Sequence, residues 1–274
     1  MVASPRVWEN MSDERVIALR ELDGRVYLIR IEDRERKIKG IGRINPARSL
    51  NEVKFGETIN LGQKEFLVLK PGLNELTSGM HRRAQIITPK DASLICSYLG
   101  LTSGQRVLEL GFGSAGLTLH LANMVGPSGS ITSVELRSEH AEVGLENISL
   151  AKSSWNGFPE FHLIEGDAYS EDVAISASEI SAEYDAISID LPEPWRAIPH
   201  FAPLLKIGGR ISCYCPVTTQ LEQAWKMCED SGLTVDWAGE RIDRVWSKAS
   251  KGGVRPSNNP MGHTAFILVA QRLK

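Results

Sequence analysis

One segment restricts the possible folds more than any other: Val107-Leu108-Glu109-Leu110-Gly111-Phe112-Gly113-Ser114-Ala115-Gly116. An apolar run of strand character passes directly into glycines at G-x-G-x-x-G spacing and then into a helical segment. Glycines in that place let the chain turn tightly and let the backbone approach a bound molecule closely. The surrounding pattern agrees. Strand-like runs at 106–110, 130–136, 161–165, 185–190 and 210–215 alternate with helical segments. One of these, 218–231, repeats Leu221, Ala224, Trp225 and Cys228 at i, i+3, i+4, i+7, the period of a helix face. Thr88-Pro89-Lys90-Asp91 predicts a helix start, with Thr88 as cap, Pro89 at the first helical position and Asp91 near the positive end of the dipole. Such alternation argues for a parallel, doubly wound α/β sheet. The last strand, 264–272, has no helix after it.

The front of the chain reads differently. Short strands are expected at 16–21, 26–31, 38–43, 58–61 and 65–70, separated by turns and without a convincing helix. Lys70-Pro71-Gly72 marks the boundary, giving a small N-terminal β domain over 1–72 and a larger domain over 73–274. The length, 274 residues, suffices for both. No run of about 18 apolar residues is present, so no membrane span is expected. Residues 1–10 lack the layout of a secretory signal, which places the protein in the cytoplasm. Cys96, Cys213, Cys215 and Cys228 form no C-x-x-C pair and have no histidine at ligand spacing, so no metal is expected. The net charge of −3 conceals an uneven distribution. Ten acidic residues and no Lys or Arg lie in 153–195, leaving the remainder net positive. Residues 30–43 hold six basic and three acidic residues, and 241–274 hold seven basic and one acidic, with Trp246 among them. Basic groups beside an aromatic suit phosphate contact with base stacking; a solvated charged face is the plainer reading.

Acids follow the glycine loop in order. Glu135 comes nineteen residues after Gly116, at the end of the next strand, where a carboxylate can accept from both hydroxyls of a ribose. Gly166-Asp167 ends the third strand, and Asp190-Leu191-Pro192-Glu193-Pro194-Trp195 ends the fourth. The glycine loop alone also fits a nicotinamide-dependent oxidoreductase. The Asp190 segment, Glu109 before the loop and the closing final strand point instead to a methyltransferase.

These landmarks resemble the TrmI-type tRNA (adenine-N1)-methyltransferases, which act on adenosine 58 of the T loop. The similarity covers most of residues 79–274. It rests on Arg83-Ala84-Gln85-Ile86-Ile87-Thr88-Pro89-Lys90-Asp91, the glycine loop, Val134-Glu135, the Asp190–Trp195 segment, Thr219-Gln220 and Gly262-His263-Thr264. It implies a Rossmann-like class I methyltransferase sheet, mostly parallel with an antiparallel last strand, and S-adenosylmethionine as cofactor. Gln85, Ile86 and Ile87 would line the methionine side; Gly111, Gly113, Ser114 and Ala115 would cradle the cofactor. Glu135 would hold the ribose with His140 nearby, and Asp167 and Ala168 would meet the adenine. Asp190 would stand where methyl donor and target base meet, as the catalytic residue. Thr88, Pro192, Trp195 and His263 are the substrate-side candidates, against packing for Trp195 and a capped turn for His263. Arg82 and Arg83 are weighed between phosphate contact and solvation. The resemblance also implies tRNA as partner and a homotetramer. Relatives often carry Gly-Thr-Gly-Ser-Gly in the loop and Tyr at the position of Thr88, which leaves the choice of adenosine open. The other readings are a methyltransferase for an isoaspartyl carboxylate or a corrin, and a non-catalytic RNA-binding subunit.

Overall fold

The computed structural model describes residues 15–274, so the reading of residues 1–10 lies outside it. The front of the chain runs Val16–Arg20 (β1), Val26–Arg30 (β2), Arg36–Ile38 (β3), Gly42–Ile44 (β4), Pro46–Leu50 (α1), Thr58–Leu61 (β5) and Lys64–Leu69 (β6). Four of these strands form an antiparallel sheet in the order β2-β1-β6-β5. Two expectations are corrected. The stretch 38–43 is not one strand: β3 and β4 form a hairpin, because Gly40 and Gly42 hold φ of 91° and 112°, which an extended run does not tolerate. A short helix also exists, α1, with Pro46 in its first turn and the Asn45 side chain accepting from the Arg48 amide at 3.2 Å.

The chain continues with Leu73–Gly79 (α2), Pro89–Leu99 (α3), Arg106–Leu110 (β7), Gly116–Val125 (α4), Ser130–Glu135 (β8), Ser138–Ser154 (α5), Glu160–Glu165 (β9), Glu171–Ile180 (α6), Tyr184–Ile189 (β10), Pro194–Phe201 (α7), Leu205–Cys215 (β11) and Thr218–Asp230 (α8). Leu233–Gly239 (β12), a hairpin of Trp246–Lys248 (β13) and Val254–Pro256 (β14), and Phe266–Arg272 (β15) complete it. Seven strands form the main sheet in the order β12-β15-β11-β10-β7-β8-β9. Pairing is parallel from β11 through β9, and β15 runs antiparallel to both β11 and β12. The strand β12 was not foreseen: Leu233 is buried, but Thr234 and Asp236 are exposed and interrupt any apolar run.

Alternation in β7 shows how the core forms. Val107 joins the apolar cluster on one face, and Leu108 and Leu110 join the cluster on the other. Cys213 and Cys215 are both buried in the second cluster, as packing residues. On α8, Ala224 and Cys228 are buried, but Trp225 is not core: it is 39% exposed and its indole N–H donates to Glu229 at 2.9 Å. The small sheet keeps its own core around Leu19, Leu50 and Phe66. It docks through Val16, which joins the larger core, and through Arg30, whose guanidinium donates to Ser149 of α5 at 2.7 Å.

The start of α3 carries a buried polar knot. The Lys90 ammonium donates to Asp91 at 2.7 Å, to the Arg241 carbonyl at 2.8 Å and to the Thr264 hydroxyl at 2.6 Å. Thr88 occupies the cap position without capping: its hydroxyl donates to Asp91 at 3.0 Å rather than accepting from the helix. The knot ties α3 to both ends of the excursion between β12 and β15. Lys90→Met strands the Asp91 carboxylate in the interior, and the expected loss of stability is about 3–5 kcal/mol, read by urea denaturation.

Candidate active site

From β7 the chain steps to one side through two strands, β8 and β9, and then returns to the other side of β7 with β10. The carboxyl ends of β7 and β10 therefore flank a crevice at the switch point, where open α/β sheets bind ligands. Here that crevice is a cavity of about 310 Å³.

The close fit of its floor depends on Gly111. The Asp190 amide donates to the Leu110 carbonyl at 2.8 Å. A Cβ on Gly111 would overlap the Asp190 carbonyl oxygen, and the residue's φ is 98°. At the other end of the loop a Cβ on Gly116 would meet Ile86 at 2.8 Å. Between them Ala115 holds a left-handed φ of 64°. Ala115 is fully buried and does not line the cavity.

The other cradle candidates do line the cavity: Gly111, Gly113 and Ser114 from the loop, and Gln85, Ile86 and Ile87 from the segment before α3. Two clamps hold these segments together. The Ser114 hydroxyl accepts from the amides of Arg83 and Ala84 at 3.1 and 3.2 Å. Asn147, buried on α5, donates to the carbonyls of His81 and Ser114 at 2.8 and 3.0 Å and accepts from the His81 amide at 3.0 Å. Asn147 was missed in the sequence, where it is one polar residue inside an ordinary helix.

Glu135 also faces the cavity, accepting from the amides of Gly113 at 2.7 Å and Arg137 at 3.0 Å. His140 lines it too, with Nδ1 3.9 Å from the Glu135 carboxylate. Asp167 and Ala168 follow β9; the Asp167 carboxylate accepts from the Tyr169 amide at 2.9 Å and remains exposed. Tyr169 is a further wall residue that sequence reading passed over, although it adjoins Ala168. Its hydroxyl accepts from the Glu193 amide at 3.0 Å, and the Arg196 guanidinium lies 4.3 Å from its ring centre.

Asp190 and Pro192 complete the wall. Among the described residues nothing donates to the Asp190 carboxyl. Burial first, and then the negative charge of Glu135, push it up to about 7. Glu109 lies behind the wall, 1% exposed. One of its oxygens accepts from Thr118 at 2.8 Å and Ser133 at 2.6 Å, while Oε1 has no partner among the described residues. Burial pushes its carboxyl up to about 8.

Three substrate-side candidates lie off the cavity wall: Thr88, committed to Asp91; Trp195, half-buried in the first turn of α7; and His263. Both nitrogens of His263 are engaged, Nδ1 with Glu240 at 2.8 Å and Nε2 with the Pro216 carbonyl at 2.9 Å. These acceptors hold the ring above the ordinary imidazole range, the carbonyl contributing most. That is the arrangement of a turn anchor.

Residues 66–237 match the family model described as tRNA methyltransferase complex GCD14 subunit. The chain belongs to this family. Within this tRNA methyltransferase family, the chain is 32% identical over 231 residues to the tRNA (adenine(58)-N(1))-methyltransferase TrmI of Thermus thermophilus, covering 84% of this chain and 86% of that protein. It is 28% identical over 221 residues to the tRNA (adenine(57)-N(1)/adenine(58)-N(1))-methyltransferase TrmI of Methanocaldococcus jannaschii, covering 75% and 78%. Among solved structures, an S-adenosylmethionine-dependent O-methyltransferase from Thermotoga maritima superposes with a TM-score of 0.75 at 25% identity, covering 98% of this chain and 97% of that one. The tRNA (m1A58) methyltransferase TrmI of Aquifex aeolicus superposes with a TM-score of 0.69 at 21% identity, covering 97% and 100%, a likeness of fold. The sheet is thus that of a class I methyltransferase. Among the described residues no helix is long and apolar enough to cross a membrane.

Two predictions follow from the buried polar groups. Glu109 ionises near 4.5 when unfolded and near 8 when folded, so rising pH removes stability across that window and little more above it. Glu109→Gln cannot ionise, and its melting temperature relative to the parent is expected to climb between about pH 5 and pH 8 and then level off. Asn147→Ala unclamps the segment before α3; the expected cost is about 2–3 kcal/mol, with faster amide exchange at His81, Arg83 and Ala84 by hydrogen–deuterium exchange.

Proposed function

We propose that this chain transfers a methyl group from S-adenosylmethionine to N1 of an adenosine in the T loop of tRNA, at position 58. The observation that carries this reading is the unpaired Asp190 carboxyl in the switch-point crevice of a chain that belongs to a tRNA methyltransferase family.

The residues present fit the cofactor. Gly111 and Gly116 present no side chain at the two ends of the loop, and Gly113 and Ser114 between them line the cavity. Glu135 already accepts from two amides, yet a carboxylate offers about four acceptor sites, so it can also take the hydroxyls of a ribose. Gln85, Ile86 and Ile87 would close the methionine side, held in place by Ser114 and Asn147. Asp167 and Ala168 would meet the adenine ring. When bound, the cofactor supplies a methyl group already activated on a sulfonium.

What the protein adds is position and electrostatics. Adenine N1 is a weak nucleophile, and the base must leave its stack, at a cost of a few kcal/mol. Asp190, as carboxylate, accepts a hydrogen bond from the exocyclic amine of the target. That raises electron density at N1 and stabilises the cationic product. Pro192, two residues after Asp190 and also on the cavity wall, shapes a rigid edge for the base. Retention of both the glycine loop and Asp190 favours a catalytic chain over a non-catalytic partner. A homotetramer acting in the cytoplasm belongs to the same reading; the exposed apolar side chains of Ile242, Val245, Trp246 and Val254 support association.

Unmodified tRNA transcript incubated with the protein and S-adenosylmethionine should yield 1-methyladenosine on nucleoside mass spectrometry. Cofactor binding without that product would point to the isoaspartyl or corrin alternatives. Turnover should rise with pH through about 7, since the ionised Asp190 is the active form and its carboxyl titrates there. Asp190→Asn should lower kcat about a hundred- to a thousandfold and flatten that rise, with cofactor affinity nearly unchanged by calorimetry.

A further inference from the structure

A second cavity, about 440 Å³, lies between the small N-terminal sheet and α5. Its wall combines β2, the β3 hairpin, His81 and, from α5, Glu146 and Leu150, and four of its side chains are cations, Arg30, Arg36, Lys37 and Lys39, against a single acid, Glu146. Part of that charge is already matched. Arg36 pairs with Glu32 at 2.9 Å, and His81 lies 3.8 Å from Glu146. Lys37 and Lys39 are exposed and make no ion pair among the described residues. Lys37 lies in β3 and Lys39 in the turn directly after it, and both line the groove.

The groove is continuous with the active site along the chain. His81 lines the groove, and Ala84 to Ile87 line the catalytic cavity. Between them the exposed Arg83 has its amide fixed on Ser114 at 3.1 Å and its guanidinium unpaired among the described residues. Asn147 clamps His81 itself to the glycine loop. The segment from His81 to Ala84, held by Asn147 and Ser114, therefore runs from the groove that Lys37 and Lys39 line to the mouth of the catalytic cavity. Exposed cations fixed along a groove suit a polyanion whose charges are spaced along a backbone.

We propose that the groove between the N-terminal sheet and α5 carries the phosphate backbone of the tRNA, through Lys37, Lys39 and Arg83, and so sets how the substrate enters the catalytic cavity. This rests on the tRNA methyltransferase reading above. It gives the N-terminal sheet a role in substrate capture and none in cofactor binding.

The test uses full-length protein, unmodified tRNA transcript, fluorescence anisotropy across a salt series, methylation kinetics and calorimetry with S-adenosylmethionine. Lys37→Glu/Lys39→Glu changes only exposed side chains of a hairpin. It should raise the tRNA Kd and KM about tenfold or more, make the salt dependence shallower by about one unit per lost contact, and leave kcat and cofactor affinity unchanged. Lys226→Glu, on the exposed side of α8, is the control for overall charge and should change tRNA binding by no more than about twofold. If the parent protein methylates tRNA and the double variant binds it within about twofold of the parent, or Lys226→Glu weakens binding equally, the groove is overturned and the enzymatic reading stands. If the parent binds cofactor but neither binds nor methylates tRNA, the enzymatic reading falls, and the groove falls with it.

Discussion

The amide of Asp190 donates to the carbonyl of Leu110 at 2.8 Å, and this contact between the ends of two neighbouring strands sets the geometry of everything around it. It draws β10 against the start of the glycine loop so closely that no side chain fits at Gly111. The loop must then bend away, and the bend opens the crevice. The Asp190 carboxyl, at the same strand end, faces that crevice beside the loop rather than the solvent at large. A single backbone hydrogen bond thus relates the wall that would hold a methyl donor to the carboxylate that would hold its acceptor.

Around that contact the site is stiffened by polar groups in the interior. Ser114 and Asn147 fasten the segment before α3 to the glycine loop. The Lys90–Asp91 knot fastens α3 to the return from β12 to β15. Glu109 accepts from α4 and β8 beneath the floor. Buried polar networks stabilise only when their members are satisfied, and they then specify one arrangement strongly. The unpartnered Oε1 of Glu109 is the exception here, and burial keeps that carboxyl protonated around neutrality.

Much of this was legible in the chain. The glycine spacing, the acid ending β8 and the Asp190 segment each belong to short runs whose strand or turn character follows from local pattern, so their order along the chain could be read directly. The strand 106–110 has the bounds expected of it. Illegible were features decided by distant partners. Nothing local distinguishes Asn147 from any helical asparagine until α5 lies against the glycine loop. Trp225 has helix-face spacing but is held outward by Glu229. Ala115 sits in the loop motif yet turns inward, because the left-handed bend at its backbone buries its methyl group.

The sequence by itself determined the class of sheet, the switch-point strand and the residue types at its end, since glycine permissiveness and apolar periodicity act over a few residues and need no partner. Tertiary structure alone decided which of those residues share a cavity. Thr88, Trp195 and His263 stand next to motif residues in the chain, but hydrogen bonds to Asp91, Glu240 and the Pro216 carbonyl commit the first and last to anchoring, and the turn into α7 takes Trp195 off the wall. The pairing of the β3 hairpin with α5 across a basic groove joins residues far apart in sequence. Closure of such long loops is repaid only by packing, which no local pattern records.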